Sequence, residues 1–339
     1  MPVGFSQRLL SVLQLTRMAL VFTAIADGWA SMLIWAAWRA GGPEFAITLL
    51  SVGRIIAVTL VSIGLYGYGM SMNDIIDRRR DRQIAADRPL PSGRMDIMSA
   101  HVICAMLGLV AVVAGLYLAQ LPRMGLFSFI LLVWTISLVT FYDVAGKYLV
   151  APGLMTLGLI RFFHATIAAP QLPLLWHPLL LLNHVAILST VAYWLEQKRP
   201  ALTRGHWWAV LGGLGVVDLT CVLLVGLKRQ ARLQAGFLDA LWITPGLWYP
   251  AVAVGLFIIV ALIIRKRSSD PRAAGRTLML TGLLWLIVYD AAFVVGYVHW
   301  RPALELLLLL PVSYLAVQMM RWWSKLILLS QRPEYQRAR

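Results

Sequence analysis

The sequence predicts an all-α polytopic membrane protein, and two observations support this fold class. Hydrophobic residues make up 60% of the 339-residue chain and charged residues only 13%, whereas a soluble domain usually carries about 25% charged residues. The apolar runs are about 20 residues long, which is the length of a transmembrane helix, while the strands of a membrane barrel alternate over roughly ten residues. We therefore expect one helical transmembrane domain over residues 1–339.

Ten apolar runs are candidate spans, counted in chain order. They lie near residues 15–38, 45–72, 96–120, 124–142, 149–170, 176–195, 206–227, 240–264, 275–298 and 302–328. The residues before the first run look like a short amphipathic lead rather than a removed signal. In the tenth run, Pro311, Arg321 and Lys325 interrupt the pattern, and "MMRWWSKLILLS" could lie along the membrane interface. We expect nine spans, with 302–339 as a possible tenth C-terminal or interfacial helix and tail.

The net charge of +15 does not indicate a nucleic-acid partner. Basic residues fall in short connections between the apolar runs, where they act as topology signals and contact anionic lipid headgroups. The richest connections, 78–94, 198–204 and 265–276, lie on the same side if the amino terminus is inside. We therefore expect a multi-pass protein of a bacterial or archaeal cell membrane, with the connection after the second span facing the cytoplasm.

That connection begins with an acidic cluster in "SMNDIIDRRRDRQIAADRPLPSGR", residues 71–94. Asn73, Asp77 and Asp81 are four residues apart, so on a helix they share one face, with Asp74 beside them. Oxygen ligands of this kind suit Mg²⁺, which typically uses one or two carboxylates together with substrate phosphates. A diphosphate would complete such a site. The alternative is a charged cytoplasmic loop in which acids pair with arginines.

This segment resembles the first aspartate-rich motif of the UbiA superfamily of intramembrane prenyltransferases, N-D-x-x-D-x-x-x-D followed by R-P-x-x-S-G. The resemblance implies a UbiA-like bundle of nine transmembrane helices that uses Mg²⁺. It also implies that Asn73, Asp77 and Asp81 are catalytic and bind the metal together with Asp74. Arg88, at the start of the trailing R-P-x-x-S-G, would bind the substrate diphosphate.

Further diphosphate ligands follow from the same resemblance. The family carries a tyrosine and a lysine between its fourth and fifth helices, and "FYDVAGKYLVAPG" supplies Tyr142 and Lys147 there. Arg161, in the next apolar run, would assist. A guanidinium inside an apolar span is costly unless it faces a polar cavity, which favours a role in the site.

The family's second aspartate-rich motif belongs between the sixth and seventh spans, where this chain reads "VAYWLEQKRPALTRGHWW". Glu196 could stand for the first acid and bind metal. Lys198 and Arg199 occupy the region where the later acids are expected. The two cations could clamp the diphosphate directly, or they could mark a member that binds an isoprenoid without ionising it.

Other polar residues inside the spans are candidate site or packing residues. Asp27 and Arg54 could pair across the first two spans, while Asp218 and Asp290 could orient or deprotonate an acceptor. We expect His164 to be a packed cavity residue. Three aromatic residues could line an isoprenoid channel and steady a carbocation through their ring faces, namely Tyr66, Tyr68 and Phe162.

The function that these features imply is Mg²⁺-dependent transfer of a polyprenyl group from a prenyl diphosphate to a lipophilic acceptor within the membrane. The expected partners are a polyprenyl diphosphate, an apolar acceptor and membrane lipids. Two alternatives stay open: a UbiA-type terpene cyclase, and a non-catalytic isoprenoid-binding or transport accessory protein. The sequence leaves the acceptor, the prenyl chain length, the number of Mg²⁺ ions and the oligomeric state open.

Overall fold

A computed structural model describes residues 5–40, 50–122, 124–234 and 236–330, and these residues contain helices and no strand. The side chains of Phe5 and of residues 327–330 are outside the description. The α-helices, in chain order, are α1 (Phe5–Leu15), α2 (Val21–Ala40), α3 (Val52–Ile84), α4 (Ile97–Gln120), α5 (Leu126–Val144), α6 (Val150–Ile167), α7 (Trp176–Leu195), α8 (Arg204–Leu233), α9 (Phe237–Ala240), α10 (Trp248–Arg267), α11 (Pro271–Tyr297), α12 (Trp300–Leu307) and α13 (Leu309–Ser330).

Ten helical stretches in the described residues are long and apolar enough to cross a membrane, which confirms the all-α polytopic class. They follow the ten predicted runs in order. The tenth stretch, Trp300–Leu326, consists of α12 and most of α13. Predicted positions 45–49 and 331–339 lie outside the described residues. The chain therefore has ten candidate spans in its described part, one more than the nine that the resemblance implies.

Burial separates central helices from peripheral ones. In the most apolar 18-residue window of α2 and of α7, 67% of the residues are buried, against 17% in α8 and 11% in α10. The exposed large hydrophobic residues of α8 and α10 are mainly Leu, Ile and Val, which suits a surface that faces lipid. The helices that surround the interior are therefore α2, α3, α6, α7 and α11, and the polar side chains within them are shielded from lipid.

Close helix contact fixes the position of α3. A Cβ placed on Gly64 would lie 2.7 Å from the backbone oxygen of Leu107 on α4, so only glycine permits this approach. The side-chain oxygen of Ser51 caps the start of α3 by accepting a hydrogen bond from the Arg54 backbone N–H at 3.2 Å. A tightly packed α3 carries its polar end to a defined place at one end of the bundle.

The first and last of the described helices pack against each other. Gln14 on α1 donates a hydrogen bond from Nε2 to Ser324 Oγ on α13 at 2.6 Å. Ser313 on α13 donates to the backbone oxygen of Ala19, just before α2, at 2.8 Å. The predicted amphipathic lead is therefore a separate helix, and the tenth stretch packs against the first rather than standing apart.

The prediction that Asp27 pairs with Arg54 is wrong. Asp27 Oδ2 lies 2.6 Å from Arg161 Nη1 on α6. Arg54 donates a hydrogen bond to the backbone oxygen of Pro122 at 2.9 Å, and its guanidinium lies 4.1 Å from the ring centre of Trp35. Arg54 sits near the start of α3, at the opposite end from the acidic cluster, whereas Asp27 lies only two turns into α2 and faces α6.

Candidate active site

The acidic cluster lies on the last turns of α3, which is longer than a helix needs to be to cross a bilayer. Its 33 residues give a length of about 50 Å, against about 30 Å for the hydrocarbon core. Asp74, Asp77 and Asp81 are all buried, with at most 4% of each residue exposed. The four-residue spacing therefore directs the acids into the protein, as part of a continuous helix rather than a solvated loop.

A lysine from the α5–α6 connection neutralises the centre of the cluster. Lys147 lies on a short 3₁₀ helix, Gly146–Tyr148, and its Nζ is 2.8 Å from Asp77 Oδ1. The side chains of Lys147 and Asp77 are 8% and 5% exposed. A pair so well shielded from water is strong and costly to break on one side.

Asn73 joins this pair to a further acid. With its amide nitrogen directed at the two carboxylates, Asn73 donates hydrogen bonds to Asp143 Oδ1 at 3.1 Å and to Asp77 Oδ2 at 3.3 Å. Asp143 ends α5 and is 2% exposed. The amide therefore bridges two carboxylates that would otherwise repel each other.

Arginines hold the remaining two acids. Arg88 Nη1 lies 2.5 Å from Asp81 Oδ2 and 3.3 Å from Asp74 Oδ1. Arg17, from the turn between α1 and α2, contacts the same Asp74 oxygen from Nη2 at 3.3 Å. Because these arginine side chains are 35% and 39% exposed, positive charge reaches from the buried acids to the solvent.

Sequence reasoning missed Asp143 and Arg17. Asp143 carried a usable signal, because it directly follows the fourth predicted run, 124–142, and lies four residues before Lys147. Arg17 lies inside the first predicted run, 15–38, so its charge marked it as a candidate too. Its partner carried no signal, since Arg17 is 57 residues from Asp74 and only the packing of α1 and α2 against α3 brings them together.

A cavity of about 380 Å³ leads from this mouth into the bundle. Arg17, Asn73, Tyr142 and Asp143 line its charged end. Its middle is mainly aliphatic, lined by residues such as Leu65, Val139, Leu157, Ile160 and Leu283. The cavity therefore has a charged mouth and a mainly aliphatic middle, and Arg161 and His164 line it further in.

The expected channel aromatics are distributed differently. Tyr66 lines the cavity. Tyr68 hydrogen-bonds Thr140 Oγ1 at 2.9 Å, and Phe162 packs edge-on against Phe163 with ring centres 5.2 Å apart. Neither Tyr68 nor Phe162 is among the lining residues in the described part of the chain.

The α7–α8 connection, where the second motif was sought, contributes one cation to the cavity. Lys198 lines it, and its Nζ also lies 3.0 Å from Glu196 Oε2. Glu196 caps the end of α7 and packs beside Gly275 of α11. Arg199 is exposed and does not line the cavity. The structure thus brings Lys198 to the site, while Glu196 and Arg199 lie to its side.

Arg161 lies deeper than the other predicted ligands. It stands eleven residues after the start of α6, about 16 Å along the helix axis. Its guanidinium binds Asp27 and donates to Thr23 Oγ1 at 3.0 Å. Its predicted contact with a diphosphate stays a prediction.

The described residues contain no group of three or more His, Cys, Asp or Glu side chains arranged to hold a metal ion by themselves. The oxygens present nevertheless fit a Mg²⁺ ion shared with phosphates. Asp81 Oδ1 is buried without a hydrogen-bond partner, and Asp77 lies one turn away on the same face. One or two carboxylates plus phosphate oxygens is the usual protein site for Mg²⁺.

The fold and site define a helical membrane bundle that encloses an apolar cavity beneath a charged mouth. Three solved structures share the helical fold. The first is described as a digeranylgeranylglyceryl phosphate synthase, with a TM-score of 0.56 and 16% sequence identity over 86% of this chain and 99% of the other. The second is a UbiA homologue from Aeropyrum pernix K1, with a TM-score of 0.52 and 16% identity over 81% of this chain and 97% of the other. The third is a UbiA homologue from Archaeoglobus fulgidus bound to GPP and Mg²⁺, with a TM-score of 0.51 and 13% identity over 84% of this chain and 99% of the other. The chain therefore has the UbiA fold, as its first motif led us to expect. No protein-family model matches the sequence, and no curated protein matches it significantly.

Proposed function

We propose that the protein transfers a polyprenyl group from a prenyl diphosphate to a lipophilic acceptor within the membrane, in a reaction that requires Mg²⁺. The observation that carries the proposal is a cavity with Arg17, Asp143 and Lys198 at its charged end and a mainly aliphatic middle, beside the buried acids of α3. A prenyl diphosphate has the same division between a charged head and a hydrocarbon tail. One solved structure of the same fold is described as bound to GPP and Mg²⁺.

The head of the substrate would lie at Asn73, Asp77 and Asp81. Asp77 and Asp81 would hold Mg²⁺, with Asn73 and Asp74 beside them. Bound there, the ion would stabilise the charge that develops on the departing diphosphate. Lys147, Arg88 and Lys198 add fixed positive charge around the same place, and Tyr142 offers a hydroxyl at the cavity wall.

The cavity wall would protect the prenyl cation from water after the diphosphate has left. Loss of diphosphate leaves an allylic carbocation, which water would trap as an alcohol. Aliphatic side chains exclude water from the tail. Tyr66 also lines the cavity, and an aromatic ring there would stabilise the cation. A lipophilic acceptor that enters from the membrane is then the available nucleophile.

The test is an assay of the purified protein in lipid nanodiscs with labelled geranylgeranyl diphosphate. We expect diphosphate release that depends on Mg²⁺ and a labelled lipid product that appears only when a membrane lipid extract is added. Asp77→Ala and Asp81→Ala each remove a charged metal ligand, so release should fall by at least ~100-fold. Asp87→Ala is the matched control, because Asp87 is an exposed aspartate six residues beyond Asp81.

Unchanged release in Asp77→Ala and Asp81→Ala would contradict the proposal. Release without extract, together with a cyclised hydrocarbon product, would identify a terpene cyclase instead. A second candidate is a non-catalytic isoprenoid binder, favoured by the basic α7–α8 connection in which Lys198 already engages Glu196. A protein of that kind would bind labelled geranylgeranyl diphosphate and would release no diphosphate from it.

A further inference from the structure

Asp143 is a buried acid at the cavity mouth to which the α3 site gives no role. It lies near the end of α5, is 2% exposed, and lines the cavity together with Asn73 and Tyr142. In the described part of the chain no lysine or arginine pairs with its carboxylate, since Lys147 reaches Asp77 instead. A buried carboxylate without a partner of opposite charge is costly, so a positively charged ligand would stabilise it.

Asn73 brings Asp143 together with Asp77. One end of its side-chain amide lies 3.1 Å from Asp143 Oδ1 and 3.3 Å from Asp77 Oδ2. With the nitrogen at that end, the amide donates to both carboxylates. If the amide turns over, its oxygen takes the same place, and oxygens of three residues then face one another. Neighbouring ligands of octahedral Mg²⁺, each about 2.1 Å from the ion, are about 3 Å apart, so this spacing is close to that of a cation site.

Asp77 has an oxygen available for this site. Its Oδ1 pairs with Lys147 at 2.8 Å, whereas Oδ2, the oxygen beside Asn73, is approached by Arg80 Nη2 at 3.6 Å. The Arg80 side chain is 59% exposed, so it can turn into solvent at little cost. A carboxylate with two differently placed oxygens can contact two cations at once.

The charge of Asp143 is difficult to reconcile with a diphosphate at the mouth unless a cation lies between them. Asp143 lines the cavity where the diphosphate head would lie, and like charges shielded from water repel strongly. A bound divalent cation is the largest local charge in such a site and would turn this repulsion into attraction.

We propose that Asn73, Asp77 and Asp143 form a second divalent-cation site, next to the one that Asp77 and Asp81 provide. The inference rests on the proposed function and deepens it, because both cations would hold the same diphosphate. Two carboxylates and one amide are not a complete ligand set, but Mg²⁺ commonly takes phosphate oxygens and water for the rest.

An acid on α5 would thereby replace the carboxylates that the α7–α8 connection does not bring to the cavity. That connection contributes Lys198 to the lining, and its acid, Glu196, pairs with this lysine at 3.0 Å. The second cation would be held on the α5 side of the mouth, while Lys198 contacts the diphosphate from the α7–α8 side.

Mn²⁺ binding tests the proposal without catalysis. Mn²⁺ binds to the same oxygen ligands as Mg²⁺ and is counted by electron paramagnetic resonance. In phosphatidylcholine nanodiscs with inorganic diphosphate, the wild-type protein should bind two Mn²⁺ ions that are magnetically coupled, because they share Asp77. Asp143→Asn removes a ligand charge, so it should bind the second Mn²⁺ at least ~10-fold more weakly and show the spectrum of an isolated ion.

Asp87→Asn is the matched control, because it removes the same charge from an exposed aspartate in the connection after α3. It should keep two coupled Mn²⁺ ions. If Asp143 only accepts a hydrogen bond from Asn73, Asp143→Asn should also keep both ions, since asparagine still offers an oxygen to that amide. Two coupled ions of wild-type affinity in Asp143→Asn would overturn the proposal.

The Mn²⁺ count separates this inference from the proposed function. One Mn²⁺ in the wild-type protein, or two without coupling, overturns the inference even if geranylgeranyl diphosphate loses its diphosphate. Two coupled ions in a protein that releases no diphosphate would support the cation site and contradict the transfer reaction. If Asp143→Asn does not fold, Asn73→Asp decides. Its third carboxylate should tighten binding of the second Mn²⁺ by at least ~10-fold, and unchanged or weaker binding overturns the inference.

Discussion

The cavity mouth has an acid–lysine ion pair on each side, one at the end of α3 and one in the α7–α8 connection. The two pairs differ in how far they are buried. Lys147 and Asp77 are 2.8 Å apart with side chains 8% and 5% exposed. Lys198 and Glu196 are 3.0 Å apart with side chains 48% and 19% exposed. Nearly equal distances therefore join a shielded pair and a solvated one, and water screens the second.

The difference suggests how one site could work with a single aspartate-rich motif. Three acids of α3 are buried and Asp81 keeps one oxygen without a partner, so this side is suited to hold a metal ion. The opposite side offers the Lys198 ammonium instead of carboxylates. We expect the diphosphate to lie between a metal held on α3 and a lysine on the α7–α8 connection.

The largest effect in this comparison should come from Lys147→Met. It leaves buried Asp77 with the neutral Asn73 amide and with Arg80, whose exposed guanidinium Nη2 is 3.6 Å away, so the bundle should lose about 3 kcal/mol of stability. The thermal unfolding midpoint in detergent should drop accordingly. Lys228→Met, the same change at an exposed lysine on α8, should leave it unchanged.

A metal titration sharpens this prediction. Because a divalent cation can compensate the uncovered carboxylate, added Mg²⁺ should restore part of the lost stability in Lys147→Met. A midpoint that does not move with Lys147→Met would show that Asp77 is solvated, and the contrast between the two pairs would be lost.

A smaller effect is expected from Lys198→Ala. The lysine is half exposed, so its contact with a diphosphate should contribute at the low end for a charged hydrogen bond, or about tenfold in affinity. The measurement is the concentration of geranylgeranyl diphosphate that gives half-maximal release. Lys266→Ala, an exposed lysine at the end of α10, is the control. Equal values for both variants would remove Lys198 from the site.

The sequence predicted those parts of the site that depend on local geometry. The spacing of Asn73, Asp77 and Asp81 puts them on one face of any helix. The burial of Asp77 and Asp81 could not be read from the sequence, because they lie beyond the predicted apolar run and their neighbours in the chain are arginines. The partner of Asp27 could not be read in this way. Arg54 and Arg161 are both arginines inside predicted spans. Asp27 contacts Arg161 because Arg54 lies near the other end of α3 and α2 faces α6 at this depth, which depends on tertiary packing. Arg17 reaches Asp74 for the same reason, through tertiary packing alone.

The smallest effect should come from Arg199→Ala. Arg199 was predicted to bind the diphosphate, but it is exposed and does not line the cavity, whereas its neighbour Lys198 does. An exposed side chain without a buried partner changes stability by less than about 0.5 kcal/mol, and we expect release to stay within about twofold of wild type. A loss of tenfold or more would mean that the α7–α8 connection folds over the bound diphosphate and brings Arg199 into contact. In that case the ion pairs on both sides of the mouth would be buried during the reaction. The difference in burial between the Lys147–Asp77 and Lys198–Glu196 pairs would then exist only in the ligand-free protein.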